Sequence, residues 1–141
     1  MSLVFWDTML FVYLVEENPQ FHRRVSGIRT RMLDRGDRLC TSVLTLGELL
    51  ALPYAHGSQE LAQVYRSALL SPNVDMISFT EETADLFGQV RADRSIAPAD
   101  AVQLACAAQA RVDLFLTNDR RLARKNIPGI QFIADLSFDY L

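Results

Sequence analysis

The chain has 141 residues, of which 50% are hydrophobic and 22% charged, and its formal net charge is −3. That length fits a single domain spanning residues 1–141, with a core large enough to need no disulfide or metal staple. The acidic balance excludes a protein that coats nucleic acid by bulk attraction, and no apolar run is long enough for a membrane span.

No charged-then-apolar leader opens the sequence, so the expected compartment is the cytosol. Cys40 and Cys106 are the only cysteines and have no zinc-type spacing, so two buried, reduced thiols are expected. His22 and His56 have no partner histidine at helical spacing and are expected on the surface.

In chain order, the apolar run Leu3 to Trp6 predicts a first strand, ended by Asp7. A short helix is expected from Thr8 to about Glu16, stopped by Asn18-Pro19. A second helix is expected from about Pro19 to Arg35, with Gly36 closing it. Residues 22 to 38 hold six arginines, and Arg24, Arg31 and Arg35 form a stripe beside Phe21, Val25, Ile28 and Met32. The plainer reading of that stripe is a solvated helix face; the functional one is a surface for phosphate or an acidic partner.

Strand two is expected at about Leu39 to Thr41, followed by a helix capped by Thr41 or Ser42, carrying Glu48 and stopping near Pro53. Gly57-Ser58 opens the next helix, and Ser71-Pro72-Asn73 ends it. Strand three is expected at Val74 to Ser78, and Thr80 caps a helix with Glu81 and Glu82 in its first turn. Pro98 suits the first position of a helix reaching Ala110, whose alanines allow close packing on a sheet. Leu114 to Leu116 reads as strand four, about Arg120 to Arg124 as a short helix and about Gln131 to Ile133 as strand five. Strands alternating with helices predict an α/β fold: a five-stranded, mostly parallel sheet with helices on both faces.

Ligands of such sheets bind beyond the carboxyl ends of the strands. Asp7 follows strand one and Asp119 follows strand four. Asp100 lies in the first turn of the helix that feeds strand four. Glu48, one to two turns into its helix, can lean over the same edge. Taken singly, each acid has a bland explanation as a cap, a dipole partner or a solvated residue. Taken together, Asp7, Glu48, Asp100 and Asp119 would repel one another unless a divalent cation neutralised them. Mg²⁺ or Mn²⁺ suits such oxygen donors and can make a bound water attack a phosphodiester. Thr8, Thr117 and Asn118 are candidates to orient a carboxylate or a bound water. Arg120 and Arg121, in a basic cluster with Arg124 and Lys125, are candidates for phosphate contact.

These residues carry a resemblance. The strand ending in Asp7-Thr8, Glu48 in Thr45-Leu46-Gly47-Glu48-Leu49, Asp100 in Ala97-Pro98-Ala99-Asp100-Ala101, and Phe115-Leu116-Thr117-Asn118-Asp119-Arg120-Arg121-Leu122 follow one another as in PIN-domain proteins. The chain looks most like the VapC-type toxins of toxin–antitoxin pairs. The resemblance implies a metal-dependent ribonuclease acting on RNA, a homodimer, and inhibition by a small antitoxin protein. One departure stands out: many relatives have a small polar residue where this chain has Met9.

Two other readings are kept. One is a PIN-like module that binds RNA or protein with little catalysis. The other is a phosphohydrolase with Asp7 as nucleophile, which generally wants a second Asp where Met9 stands.

Overall fold

The computed structural model describes residues 1–140. The elements run β1 (Leu3–Trp6), α1 (Thr8–Val15), α2 (His22–Arg35), β2 (Arg38–Ser42), α3 (Val43–Ala55), α4 (Gln59–Leu69), β3 (Val74–Ile77), α5 (Glu81–Arg91), α6 (Pro98–Ala110), β4 (Leu114–Leu116), a 3-10 turn (Leu122–Arg124) and β5 (Phe132–Ala134). The five strands form one sheet in the order β3-β2-β1-β4-β5. Every pairing is parallel, so the sheet is wholly rather than mostly so.

Strand alternation sorts the core into two layers. Val4 and Trp6 of β1, with Leu114 and Leu116 of β4, pack against α1 to α4 through Leu10, Val25, Ile28, Met32, Leu49 and Tyr65. Phe5 and Phe115 face the other way, onto α6 and Val90 of α5. Their registered rings stack with centroids 4.9 Å apart. On α6 the small residues Ala101, Ala105, Ala107 and Ala108 are all buried, which brings the helix close to the strands.

The expected helix starts hold where a local signal exists. Ser42, Ser58 and Thr80 each accept a bond from a first-turn backbone N–H, and Pro98 opens α6. Three expectations need correction. The second helix begins at His22 rather than Pro19, because the Asn18 side chain accepts from the N–H groups of Gln20 and Phe21 and holds those residues in a turn. The Glu48 helix does not stop at Pro53 but runs to Ala55. Leu49 and Pro53 are both buried, so packing outweighs the one missing bond to the Leu49 carbonyl, and His56 N–H closes the turn on Leu52. Strand five lies one residue later than expected.

The arginine stripe of α2 is neither a plain solvated face nor an open phosphate surface. Arg24 donates to the carbonyls of Leu136 (2.8 Å) and Phe138, and Arg31 donates to that of Tyr140 (2.6 Å). Arg35 pairs with Asp37 (3.1 Å) and lies over the Tyr140 ring. The stripe fastens the C-terminal segment along α2. Both cysteines are free and buried, and burial pushes the Cys40 thiol up to about 12 and that of Cys106 to about 11. His56 is exposed, while His22 is half-buried with Nδ1 3.2 Å from the Tyr13 carbonyl. No helix among the described residues is long and apolar enough to cross a membrane.

Candidate active site

The chain leaves the central strand β1 toward β2 and β3, then returns to the other side of β1 as β4 and β5. The carboxyl ends of β1 and β4 therefore flank the point where strand order reverses, where such sheets leave a crevice. Asp7 stands there as the N-cap of α1. Its Oδ1 accepts from the Thr8 backbone N–H (2.8 Å) and its Oδ2 from the Thr117 hydroxyl (2.9 Å). Thr117 is fully buried and also accepts the Asp119 N–H at 3.1 Å, so one hydroxyl couples the loop after β4 to the residue after β1.

Asp119 Oδ1 accepts the backbone N–H groups of Arg121 (2.9 Å) and Leu122 (3.2 Å), which shapes the 3-10 turn. Glu48 projects from α3 and takes a 2.6 Å bond from Thr8 Oγ1. Asp100 sits in the first turn of α6.

The four acids feel one another. Burial raises the Asp7 carboxyl above its ordinary value; the bonds from Thr8 and Thr117 oppose this, and repulsion from Asp100 and Glu48 adds to it. The Asp100 carboxyl is raised by burial and by repulsion from Asp119 and Glu48, with Arg121 opposing. The fold thus brings Asp7, Glu48, Asp100 and Asp119 within electrostatic reach on one edge. They do not form a closed cage: no group of three or more His, Cys, Asp or Glu among the described residues is gathered tightly enough to hold a metal ion. The donor chemistry nonetheless fits a hard divalent cation, since every donor is a carboxylate oxygen and their shared repulsion is what a cation would relieve.

The other candidates divide. Thr8 and Thr117 both hold site acids, as expected. Asn118 does not: its amide donates to the Tyr13 hydroxyl (2.8 Å) and faces α1. Arg121, Arg124 and Lys125 line a cavity of about 390 Å³ together with Asp100 and Asp119. Arg120 is not among its lining and instead borders a cleft with Asp135 and Ser137. Lys125 is committed to Asp93 (3.0 Å) and Ser95 (2.8 Å), while Arg121, 90% exposed, lies 3.8 Å from Asp119 and is the cation beside the acids. Met9 is 45% exposed, and no second acid stands beside Asp7 in its place. A cleft of about 340 Å³ lined by Ser2, Asp113, Phe132 and Tyr140 lies at the opposite, amino edge of the sheet.

Four buried polar residues near the acids were not among the expected site residues: Thr41 and Ser42, read only as helix caps, and Thr45 and Gln103. Gln103 carried a signal, because it is the one polar side chain in the otherwise apolar run Ala101 to Ala108 and lies one turn after Asp100.

Solved structures share this arrangement of strands and helices. DNA-bound VapBC from Salmonella typhimurium aligns at 25% identity with a TM-score of 0.64, covering 96% of this chain and 99% of that one. VapBC2 from Rickettsia felis, bound to a promoter DNA fragment, aligns at 16% identity and TM-score 0.65, covering 94% and 98%. VapC20 from Mycobacterium tuberculosis, a sarcin–ricin-loop-cleaving toxin, aligns at 20% identity and TM-score 0.60, covering 79% and 86%. No curated protein matches by sequence. The PIN-domain family model matches residues 4–128, from β1 through the turn after β4, and so takes in all four acids. On that match the chain belongs to the PIN-domain family.

Proposed function

We propose that this protein is a metal-dependent endoribonuclease and the toxin of a toxin–antitoxin pair. The observation that carries the reading is the convergence of Asp7, Glu48, Asp100 and Asp119, from four separate segments, with Asp7 and Asp100 pushed up first by burial and further by the charge of their neighbours. A bound Mg²⁺ or Mn²⁺ would supply an acidified water and offset charge growing on the phosphate. Asp7, Asp100, Asp119 and Glu48 are the residues that would hold it. Asp7 has one hydrogen bond on each oxygen and a lone pair to spare on both. Arg121, which lines the cavity beside Asp119, would steer a substrate phosphate. Thr8 and Thr117 keep Glu48 and Asp7 from swinging away.

The neighbours support the choice of partner: those from Salmonella and Rickettsia are VapBC structures, and the proposed partner here is a small antitoxin protein. A homodimer working in the cytoplasm belongs to the same proposal.

The test is incubation of mixed RNA with the protein in Mg²⁺ or Mn²⁺. Wild type is expected to cleave, chelator to stop it, and Asp7→Asn or Asp100→Asn to lower the rate at least 100-fold, in keeping with the weight of a metal-activated nucleophile. Cleavage at the wild-type rate by both variants would falsify the proposal.

A second reading, a PIN-fold module that binds RNA or protein with little catalysis, draws on one observation: the acids are near one another without closing into a cage. A millimolar Mn²⁺ titration that registers no binding would favour it.

A further inference from the structure

The hydrogen-bonded group behind the acids has a direction, which can be worked out by counting protons. Thr41 Oγ1 lies 2.9 Å from the Trp6 carbonyl and 2.8 Å from Thr45 Oγ1. Thr41 Oγ1 is the donor toward both, its one proton shared between the Trp6 carbonyl and Thr45 Oγ1, so Thr45 Oγ1 stands as an acceptor. Gln103 Nε2 fills it at 2.8 Å. On its other side, Gln103 Oε1 accepts from the Ser42 hydroxyl.

The second Nε2 proton of Gln103 then faces Thr8 Oγ1 at 3.2 Å and Glu48 Oε1 at 3.3 Å. Thr8 spends its own proton on that same Glu48 oxygen. Inverting the Gln103 amide would press its oxygen against a carboxylate, so Glu48 fixes the amide and the amide fixes Glu48. Glu48 Oε1 is thereby anchored by two donors, while Oε2 has no hydrogen bond among the described residues.

Filling the space behind the acids would need only an apolar side chain. A glutamine that is 2% exposed and holds one oxygen of one acid does more. We infer that Gln103 is a positioning residue, which through Glu48 presents Oε2 to a divalent cation. This rests on the metal-dependent reading above. The Thr41–Thr45 pair transmits the placement of β2 to the amide, and Ser42 holds the amide from the far end.

The test uses Mn²⁺ alone, with binding followed by the spectrum of the free ion, on wild type, Gln103→Met, Glu48→Gln and the double variant. Gln103→Met keeps volume and removes the donors. It is expected to weaken Mn²⁺ binding roughly tenfold or more, as outer contacts to ligands do. In the Glu48→Gln background the same change is expected to have no further effect, because Gln103 acts through Glu48. A residue that merely stabilises the fold would lower the melting temperature in chelator and leave Mn²⁺ affinity alone.

Should Gln103→Met fail to fold, the wild-type side-chain amide of Gln103 gives a second readout by nuclear magnetic resonance. Its protons are expected to exchange slowly with solvent and to shift on Glu48→Gln. Wild-type Mn²⁺ binding with an unaffected Gln103→Met, an equal loss in both backgrounds, or an amide indifferent to Glu48 overturns the inference and leaves the nuclease reading standing. No Mn²⁺ binding by wild type overturns both.

Discussion

At the scale of single residues, the acids are the costly part of the molecule and their charge has a measurable sign. Asp100 is half-buried, faces Asp119 and Glu48, and its folded-state proton affinity is raised. A carboxyl raised on folding binds more protons in the native state than in the unfolded one, so metal-free stability falls as pH rises through its folded value. The relief is fully present below the unfolded value of about 4 and gone once the folded value has been passed. Asp100→Asn removes the charge at nearly constant shape and takes no hydrogen-bonded partner away. In chelator at pH 7 it should melt no lower than wild type, and its advantage should shrink as pH is lowered through the Asp100 value. Thermal melts across that range, with a clear loss of stability at pH 7, would make Asp100 a structural acid. Asp7 is a different case, although repulsion raises it too. It caps α1 and receives the Thr117 hydroxyl, so Asp7→Asn gives up hydrogen bonds along with the charge. The equal behaviour that charge alone predicts for the two variants therefore gives way to a ranking, with Asp100→Asn the more stable.

At the scale of elements, what the sequence made legible was whatever a residue does within a few positions of itself. Pro98 starts α6, Ser58 and Thr80 cap α4 and α5, and Asp7 ends β1 where the apolar run stops. The acids could be placed because position on a parallel sheet edge follows from element order alone. Gln103 could not be assigned a role, because its partners Thr8, Thr45 and Glu48 lie 95, 58 and 55 residues away. Arg24 and Arg31 of α2 were unreadable for the same reason, their acceptors being backbone carbonyls more than 100 residues on. Strand β5 slipped by one residue because its seat is set by a distant contact. Gly129, at φ 96°, lies so close to α6 that a Cβ would come within 2.9 Å of the Ala108 carbonyl oxygen. Both the positive φ and the close approach forbid a side chain. Gly129→Ala is therefore expected to cost about 1–3 kcal/mol, the range for a strained backbone position, read from chemical denaturation. A change below about 0.5 kcal/mol would mean that the turn before β5 yields easily, and that α6 does not fix the strand.

Across the whole molecule, the two edges of the sheet do different work. The carboxyl edge collects like charges, while the amino edge is tied together by satisfied ones. There Asp113 accepts the Leu3 N–H (2.8 Å) and Asp37 accepts the Ser2 N–H (2.7 Å). Asp37 also takes the Tyr140 hydroxyl and Arg35, so α2, β1, β2 and the C-terminal segment meet at one buried carboxylate. Burial alone would raise Asp37, but the bonds from Tyr140, Ser2 and Arg35 outweigh it and hold the carboxyl below its ordinary value. The sign is opposite to that of Asp100: this stabilisation is present above the unfolded value and is lost as pH falls through the folded one. Tyr140→Phe removes one donor from a buried charge, which costs about 1–3 kcal/mol at neutral pH. The gap from wild type should close as pH drops below about 4, once protonation of Asp37 ends the need for the bond. Because the change lies at the amino edge, the metal binding and RNA cleavage proposed above should be untouched in folded protein. Denaturation at pH 7 and at the acid end, paired with a cleavage assay, separates the outcomes. A pH-independent gap would mean that Tyr140 contributes packing alone. A loss of cleavage in fully folded protein would mean that the two edges are coupled, and the division of labour between them would have to be abandoned.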